Sequence, residues 1–317
     1  MRRLKVAYFT SKHHPVDGFL GNIEARTILL GARNILRRAL GPHDEEICSL
    51  DDDEFLVGDT DVAVICGTAQ IFSAAPQRIL RRIAEIAKAP VPVKLNLGVG
   101  SFNFPKFGAD QASTDRQLIG RIVSSTEARF YGDYEGFNAI ACRDQRAAQV
   151  LSDLDVVAAF LPCPSFFSAL MEPSPLIRND RLVVSVLSGM SPLWDTVAVD
   201  VHGLYQSLWR ADETRVFVSH NENEATMLSA LGIPFIDCTD AATFIRLLAQ
   251  HDRLISFKGS DLAPAWSLGL NVAHIGLQRR EQFGDDFGAG LRTISPWSGE
   301  VMQLSDGGCA LSTDRPS

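Results

Sequence analysis

Lys258, Gly259 and Ser260 stand together in a tight turn between a strand-like run, 253–257, and a helix that stops at Gly269. In open α/β sheets ligands lie beyond the carboxyl ends of strands, where helix N-termini present free N–H groups to anions. A lysine and a hydroxyl at such a turn, with Lys258 facing solvent, make a cradle for a phosphate or a carboxylate. The same residues also read as ordinary strand-to-helix punctuation in which Ser260 or Asp261 caps the helix.

Other strand ends carry groups of the same kind. After the first strand a loop containing His13, His14 and Asn22 feeds a long helix, and Gly67 and Thr68 follow the third strand. Gly98, Gly100 and Ser101 follow the fourth, where glycine means close backbone approach to a ligand or tight packing. This Gly-x-Gly opens like a dinucleotide fingerprint but sits after the wrong strand and ends in Asn103, so a nicotinamide cofactor is not expected. Arg143 and Asp144 end the fifth strand, either as an anion contact or as a salt bridge and helix cap. Ser188 follows the first strand of the second half.

His220 closes a strand and precedes Asn221 and Glu222. It suits a general acid, because imidazole titrates near neutrality, and it equally suits a hydrogen-bonded residue capping the next helix. His274 lies inside an apolar strand and reads as a satisfied core residue. His43, His202 and His251 read as turn or helix-surface positions. The run Asp51 to Glu54 reads as a solvated loop, and no metal site is expected.

The elements that must position these groups alternate. Strands are expected at 4–10, 46–50, 61–66, 91–97, 139–143 and 156–161, with helices at 23–40, 76–88, 113–124 and 145–152. In the second helix Ile79, Leu80, Ile83 and Ile86 form one stripe. A proline-rich stretch, 171–180, breaks the series and reads as a linker. Strands at 181–187, 215–219, 234–237, 253–257 and 271–275 then alternate with helices at 194–209, 222–231 and 241–250. This order implies βαβ units and parallel sheets. The expected architecture is α/β: two Rossmann-like domains facing a cleft, GT-B-like, with an acceptor-side domain at 1–172, a donor-side domain at 180–299 and a tail at 300–317.

Composition sets the class. The chain has 317 residues, 46% hydrophobic and 21% charged, with a net charge of −8. That balance speaks against non-specific nucleic-acid or membrane-surface binding. The six cysteines are dispersed without a CxxC pair, so neither a zinc site nor a disulfide framework is expected. Met1-Arg2-Arg3-Leu4-Lys5 leads straight into a strand instead of a signal sequence. No apolar run approaches the ~20 residues of a membrane span, and a cytoplasmic protein is expected.

Taken in order, these motifs resemble the polysaccharide pyruvyl transferase family over residues 1–290. The matching segments are Gly21-Asn22-Ile23, Cys66-Gly67-Thr68, Gly98-Val99-Gly100, Cys142-Arg143-Asp144, Cys163-Pro164-Ser165-Phe166, Phe217-Val218-Ser219-His220 and the stretch from Ile255 to Gly269. The family's Arg-x-His is here Lys258-Gly259-Ser260, which marks a divergent member. The resemblance implies a GT-B-like transferase that moves a pyruvyl or enolpyruvyl group from phosphoenolpyruvate to a sugar or sugar-containing acceptor, without a cofactor. His220 and Lys258 would then be catalytic. His14, Asn22, Gly67, Thr68, Gly98, Gly100, Ser101, Arg143, Ser188, Gly259 and Ser260 would bind the anionic donor and the carbohydrate-type acceptor. Two other readings stay open: a GT-B glycosyltransferase using a nucleotide sugar, and a non-catalytic carbohydrate-binding relative.

Overall fold

The computed structural model describes residues 2–11, 23–51, 58–67, 69–71, 77–101, 120, 128–171, 178–187, 200–275 and 292–294. Two compact units divide the chain, Met1–Leu20 with Thr27–Phe167 and Gly21–Arg26 with Ser168–Ser317.

The first unit runs β1 (Lys5–Thr10), α1 (Ile23–Leu40), β2 (Asp44–Ser49), β3 (Val62–Cys66), β4 (Ala69–Ile71), α2 (Gln77–Lys88), β5 (Val93–Ser101), α3 (Ala128–Gly132), β6 (Ala139–Cys142), α4 (Gln145–Asp153) and β7 (Ala159–Phe160). Its sheet has the order β2-β1-β3-β5-β6-β7, with β4 pairing β5 off that path, and every pairing is parallel. Order reverses between β1 and β3, so ligand-facing positions lie beyond the carboxyl ends of the central strands.

The stripe on α2 is buried as expected, through Ile79, Leu80, Ile83 and Ile86. These side chains join Phe9, Ala63, Ile65 and Val99 of the sheet in one core. Burying each large aliphatic contributes roughly 1.5–3 kcal/mol, which exceeds what helix propensity alone supplies. Lys94 closes the C-terminal end of α2 by donating to the carbonyls of Ala87 at 2.7 Å and Ala89 at 3.0 Å.

The short strand β4 was not expected, and its cause is a buried amide. Gln70 is wholly enclosed. Its side chain exchanges hydrogen bonds with Asn96 at 2.9 and 3.1 Å. Tyr134 donates to its amide oxygen at 2.6 Å and Tyr131 to its backbone carbonyl at 2.7 Å. A buried amide must find partners, and these fix β4 against β5.

The second unit runs β8 (Asn179–Ser185), α5 (Val201–Ala211), β9 (Val216–Ser219), α6 (Glu222–Ala230), β10 (Phe235–Asp237), α7 (Ala241–Ala249), β11 (His251–Ser256), α8 (Leu262–Ser267), β12 (Asn271–Ile275) and β13 (Arg292–Ile294). Its sheet has the order β10-β9-β8-β11-β12-β13, again all parallel. Counted within the unit this is the 3-2-1-4-5-6 order of a doubly wound Rossmann sheet, with its switch point between β8 and β11. Ser185 and Ser256 are register partners at that point. The core beneath is built from Val184, Leu204, Tyr205, Leu208, Phe217 and Ile255.

One boundary moved for a local reason. The expected strand at 156–161 pairs only through Ala159 and Phe160, preceded by Asp155 at φ 58°, a left-handed residue that delays extension. The helix expected at 194–209 is described only from Val201, where Asp200 caps it by accepting from Gly203 N–H at 2.8 Å. Of the helix expected at 113–124, only residue 120 is described. Among the described residues, no helix is long and apolar enough to cross a membrane.

Candidate functional site

In the first unit the expected ligand glycines are filled from within. Gly98 has φ +77°, and a Cβ there would meet Pro164 Cδ at 2.9 Å. Gly67 has φ +42°, and a Cβ would press on the Ile28 side chain. At Gly100 a Cβ would lie 2.8 Å from Arg143 Cζ, so the guanidinium occupies the space beside that backbone. These three glycines are explained by packing, and a ligand is not needed to account for them. Arg143 is buried at the carboxyl end of β6.

Its neighbour Asp144 is a cap and a tie at once. The carboxylate accepts from Ala147 N–H at 2.8 Å, capping α4. It also accepts from the Ser101 N–H and hydroxyl, each at 2.7 Å. Ser101 is therefore committed to the β5–α4 junction. His14, Asn22, Thr68 and Ser188 lie outside the described residues.

The second unit concentrates buried polar side chains at its switch point. Ser185, Glu224, Ser256 and Asp261 have no exposed surface, and His220 and His274 have 2% each. Adjacency follows from strand order: β9, β8 and β11 lie side by side, so their ends bring together His220, Ser185 and the turn 258–261.

Lys258 is not the solvent-facing charge expected from the sequence. Its ammonium pairs with the Glu224 carboxylate, and the two side chains are 10% and 0% exposed. Glu224 also accepts from the His220 N–H at 2.7 Å and the Asn221 amide at 3.0 Å. Asn221 caps α6 by accepting from Glu224 N–H at 3.0 Å. This reciprocal Asn-x-x-Glu arrangement resembles a capping box, and it presents Glu224 to the turn.

His220 is locked in place. Its Nδ1 lies 3.1 Å from the Cys238 carbonyl oxygen and its Nε2 3.0 Å from Ser185 Oγ. The ring stacks edge-on against Phe244 at 4.6 Å. Burial, reinforced by the Lys258 charge, pushes its pKa down to about 3. A ring that is neutral at pH 7 is a hydrogen-bond partner, so the general-acid role expected for His220 does not fit its surroundings.

Asp261 turns inward instead of capping α8. Its carboxyl lies 2.8 Å from Ser256 Oγ and 3.2 Å from Ser260 Oγ, with the Ser185 hydroxyl close by. Burial raises its pKa, against the pull of Lys258 and of the three hydroxyls. Gly259 and Ser260 form one 3-10 turn with Asp261, so Ser260 supports Asp261 through its hydroxyl.

His274 is the satisfied core residue expected, with Nδ1 at 3.0 Å from the Ser256 carbonyl. His43 and His251 are corrections. His43 has no exposed side-chain surface and receives the Tyr8 hydroxyl at 2.9 Å. His251 is 3% exposed, with Nδ1 at 2.7 Å from the Leu247 carbonyl. Both were read as turn or helix-surface positions, and their rings instead turn inward, onto the carbonyls of Gly41 and Leu247. Among the described residues no cluster of His, Cys, Asp and Glu is arranged to hold a metal ion.

The sequence reading passed over Ser185 and Glu224 and gave Asp261 only the role of a cap. Of the first two, only Glu224 had a signal, its spacing from Asn221.

No family model and no curated protein matches the chain. Solved structures do resemble it. The UDP-bound MnaA of S. aureus is 8% identical at a TM-score of 0.53, with 97% of this chain and 91% of that one covered. The UDP-GlcNAc 2-epimerase of Methanocaldococcus jannaschii, in complex with UDP-GlcNAc and UDP, is 10% identical at a TM-score of 0.50, covering 96% and 91%. Identities this low speak for the fold alone. The fold is α/β and GT-B-like, built from two Rossmann-like units.

Proposed function

We propose that this chain is a carbohydrate-modifying enzyme of GT-B type that holds a nucleotide-sugar donor at the carboxyl ends of β8 and β11. The observation that carries this reading is the buried polar cluster at the switch point of the second sheet, the place where doubly wound sheets take nucleotides. Polar groups of this density cost stability unless satisfied. The solved relatives named above carry UDP or UDP-GlcNAc, which supports a nucleoside diphosphate as ligand.

Pyruvyl transfer from phosphoenolpyruvate is the second reading. The ordered motifs favour it, as does Arg143 seated at the end of β6. The Lys258–Glu224 pair does not separate the two readings, because phosphoenolpyruvate and a nucleoside diphosphate would both meet a cation already neutralised. In either reading the second unit is the donor side and the first takes the carbohydrate acceptor.

Thermal unfolding with UDP, ADP, GDP, CDP and phosphoenolpyruvate in parallel separates the two. A nucleoside diphosphate at a hundred times its Kd stabilises by about 2.7 kcal/mol, so a saturable rise in Tm with one nucleotide is expected. A rise with phosphoenolpyruvate alone, with phosphate released only when a sugar acceptor is added, would replace the first reading by the second. No response to any of them would sink both and leave a non-catalytic relative.

A further inference from the structure

The hydrogen atoms at the switch point do not balance if every group is in its ordinary state. Ser256 Oγ accepts from Lys258 N–H at 2.9 Å and lies 2.8 Å from the Lys258 carbonyl oxygen and 2.8 Å from Asp261 Oδ2. A hydroxyl has one hydrogen, and a carbonyl has none to give. If Ser256 donates to the carbonyl, its contact with Asp261 needs a hydrogen from Asp261.

Ser185 does not relieve this. Nδ1 of His220 faces a carbonyl and must carry the ring hydrogen, which leaves Nε2 bare in a neutral imidazole. Ser185 then donates to Nε2 and has no second hydrogen for Asp261. Charge counting agrees. The cation acting on Asp261, Lys258, is already paired with Glu224, and the charge of Arg26 acts on His220. An ionised Asp261, wholly buried, would be a second negative charge facing neutral hydroxyls, and such a charge is costly without its own partner.

We infer that Asp261 is a neutral carboxylic acid in the folded protein, donating its hydrogen to Ser256, which donates in turn to the Lys258 carbonyl. This chain of hydrogen bonds positions the turn 258–261 and adds no second negative charge beside the Lys258–Glu224 pair. The competing location for the proton is His220 Nε2, 3.9 Å from Asp261 Oδ2, which would make an imidazolium–carboxylate pair. Burial and the Lys258 charge both oppose that form.

Each element packed against Asp261 presents a group that enters this balance: Ser185 from β8, His220 after β9, Cys238 after β10, Glu224 from α6, Ser256 from β11, and Lys258 and Ser260 from its own turn. The Cys238 thiol is pushed up to about 12 by burial and by nearby carboxylates, so it stays neutral. The inference concerns the resting protein and stands whether or not a nucleotide binds.

Infrared spectroscopy of the unmodified protein at pH 7 tests it, with assignment by Asp261→Asn. The expected result is a protonated-carboxyl C=O band in the wild type that Asp261→Asn removes. Nitrogen-15 NMR of the histidines should show His220 as a neutral Nδ1–H tautomer. Asp261→Asn, which keeps a donor where the acid proton sits, should fold with a Tm within a few degrees of the wild type at pH 7. The sign of the pH dependence is fixed: a carboxyl whose pKa is raised on folding contributes stability below its unfolded pKa and loses it as pH rises through the folded value. The wild type should therefore weaken relative to Asp261→Asn as pH rises from about 4. Absence of the carboxyl band, an imidazolium signal at His220, or a wild-type to Asn difference independent of pH would each overturn the inference.

Discussion

Lys258 and Glu224 form an ion pair inside the second unit, and the carboxylate has no exposed surface. Removing the lysine leaves a buried charge without its partner, and breaking such a pair costs about 3–5 kcal/mol. Lys258→Ala is therefore expected to destabilise the second unit by that amount, where a surface lysine would cost almost nothing. Urea unfolding of Lys258→Ala, Glu224→Gln and the double variant Lys258→Met/Glu224→Gln measures it. The double variant should be more stable than Lys258→Ala, because no uncompensated charge remains. If Lys258→Ala unfolds like the wild type, the pair is not formed in solution.

Two left-handed glycines, Gly98 within β5 and Gly232 after α6, make a graded prediction. Gly98 combines φ +77° with Pro164 at 2.9 Å from a would-be Cβ, whereas Gly232 has φ +69° and nothing within 4 Å. Left-handed backbone alone costs a non-glycine residue about 1–2 kcal/mol. Gly232→Ala should show only that cost, and Gly98→Ala should exceed it by about 1–3 kcal/mol for the overpacked site. Equal losses in denaturant unfolding would remove the packing explanation for Gly98.

Much of the scaffold was legible in the sequence because its signals are local. The α2 stripe at helical spacing, the apolar runs of the parallel strands and the caps at Asp144 and Asn221 are all set by residues a few positions apart. The candidate site was legible only as a set of strand ends. Which group is charged there depends on partners brought from other strands: Glu224 reaches Lys258 across 34 positions of chain, and Ser185 meets His220 across 35. Lys258 looked like a free cation because nothing near it in sequence neutralises it. The strand at Gln70 was not legible for the same reason, since its partner Asn96 lies 26 residues on.

Asp144 holds two elements with one side chain, and its loss should be felt at both. Asp144→Ala removes the cap of α4, worth about 1 kcal/mol, and leaves the Ser101 N–H and hydroxyl without their acceptor. An unsatisfied, partly buried donor adds about 1–3 kcal/mol. The expected total is about 2–4 kcal/mol by denaturant unfolding of the first unit, with Ser101→Ala costing less because the cap survives. Hydrogen exchange should show the start of α4 and the end of β5 opening together in Asp144→Ala. Opening of α4 alone would mean the bond to Ser101 contributes nothing.

Acid sensitivity should come first from His220 and His251, two of the buried histidines of the second unit. Burial is the largest cause lowering both: His220 is pushed down to about 3, and His251 falls below its ordinary value of 6.5. A base neutral in the fold and protonated when unfolded stabilises fully above its unfolded pKa, and that stability is lost as pH falls toward the folded one. For His220 the window runs from 6.5 down to about 3. Each such histidine contributes a slope of up to about 1.4 kcal/mol per pH unit inside its window. Over pH 6.5 to 4.5, before most carboxylates titrate, unfolding free energy should fall with acid. His220→Asn should reduce that slope by about one proton, and His251→Asn by up to one. His220→Asn should also be less stable than wild type at pH 7.5, because Ser185 and the Cys238 carbonyl are bonded to the imidazole from opposite sides. Proton uptake on unfolding, read from the pH dependence of urea midpoints, decides the matter: an unchanged slope in His220→Asn would mean that the ring is already protonated, or exposed, in the folded state.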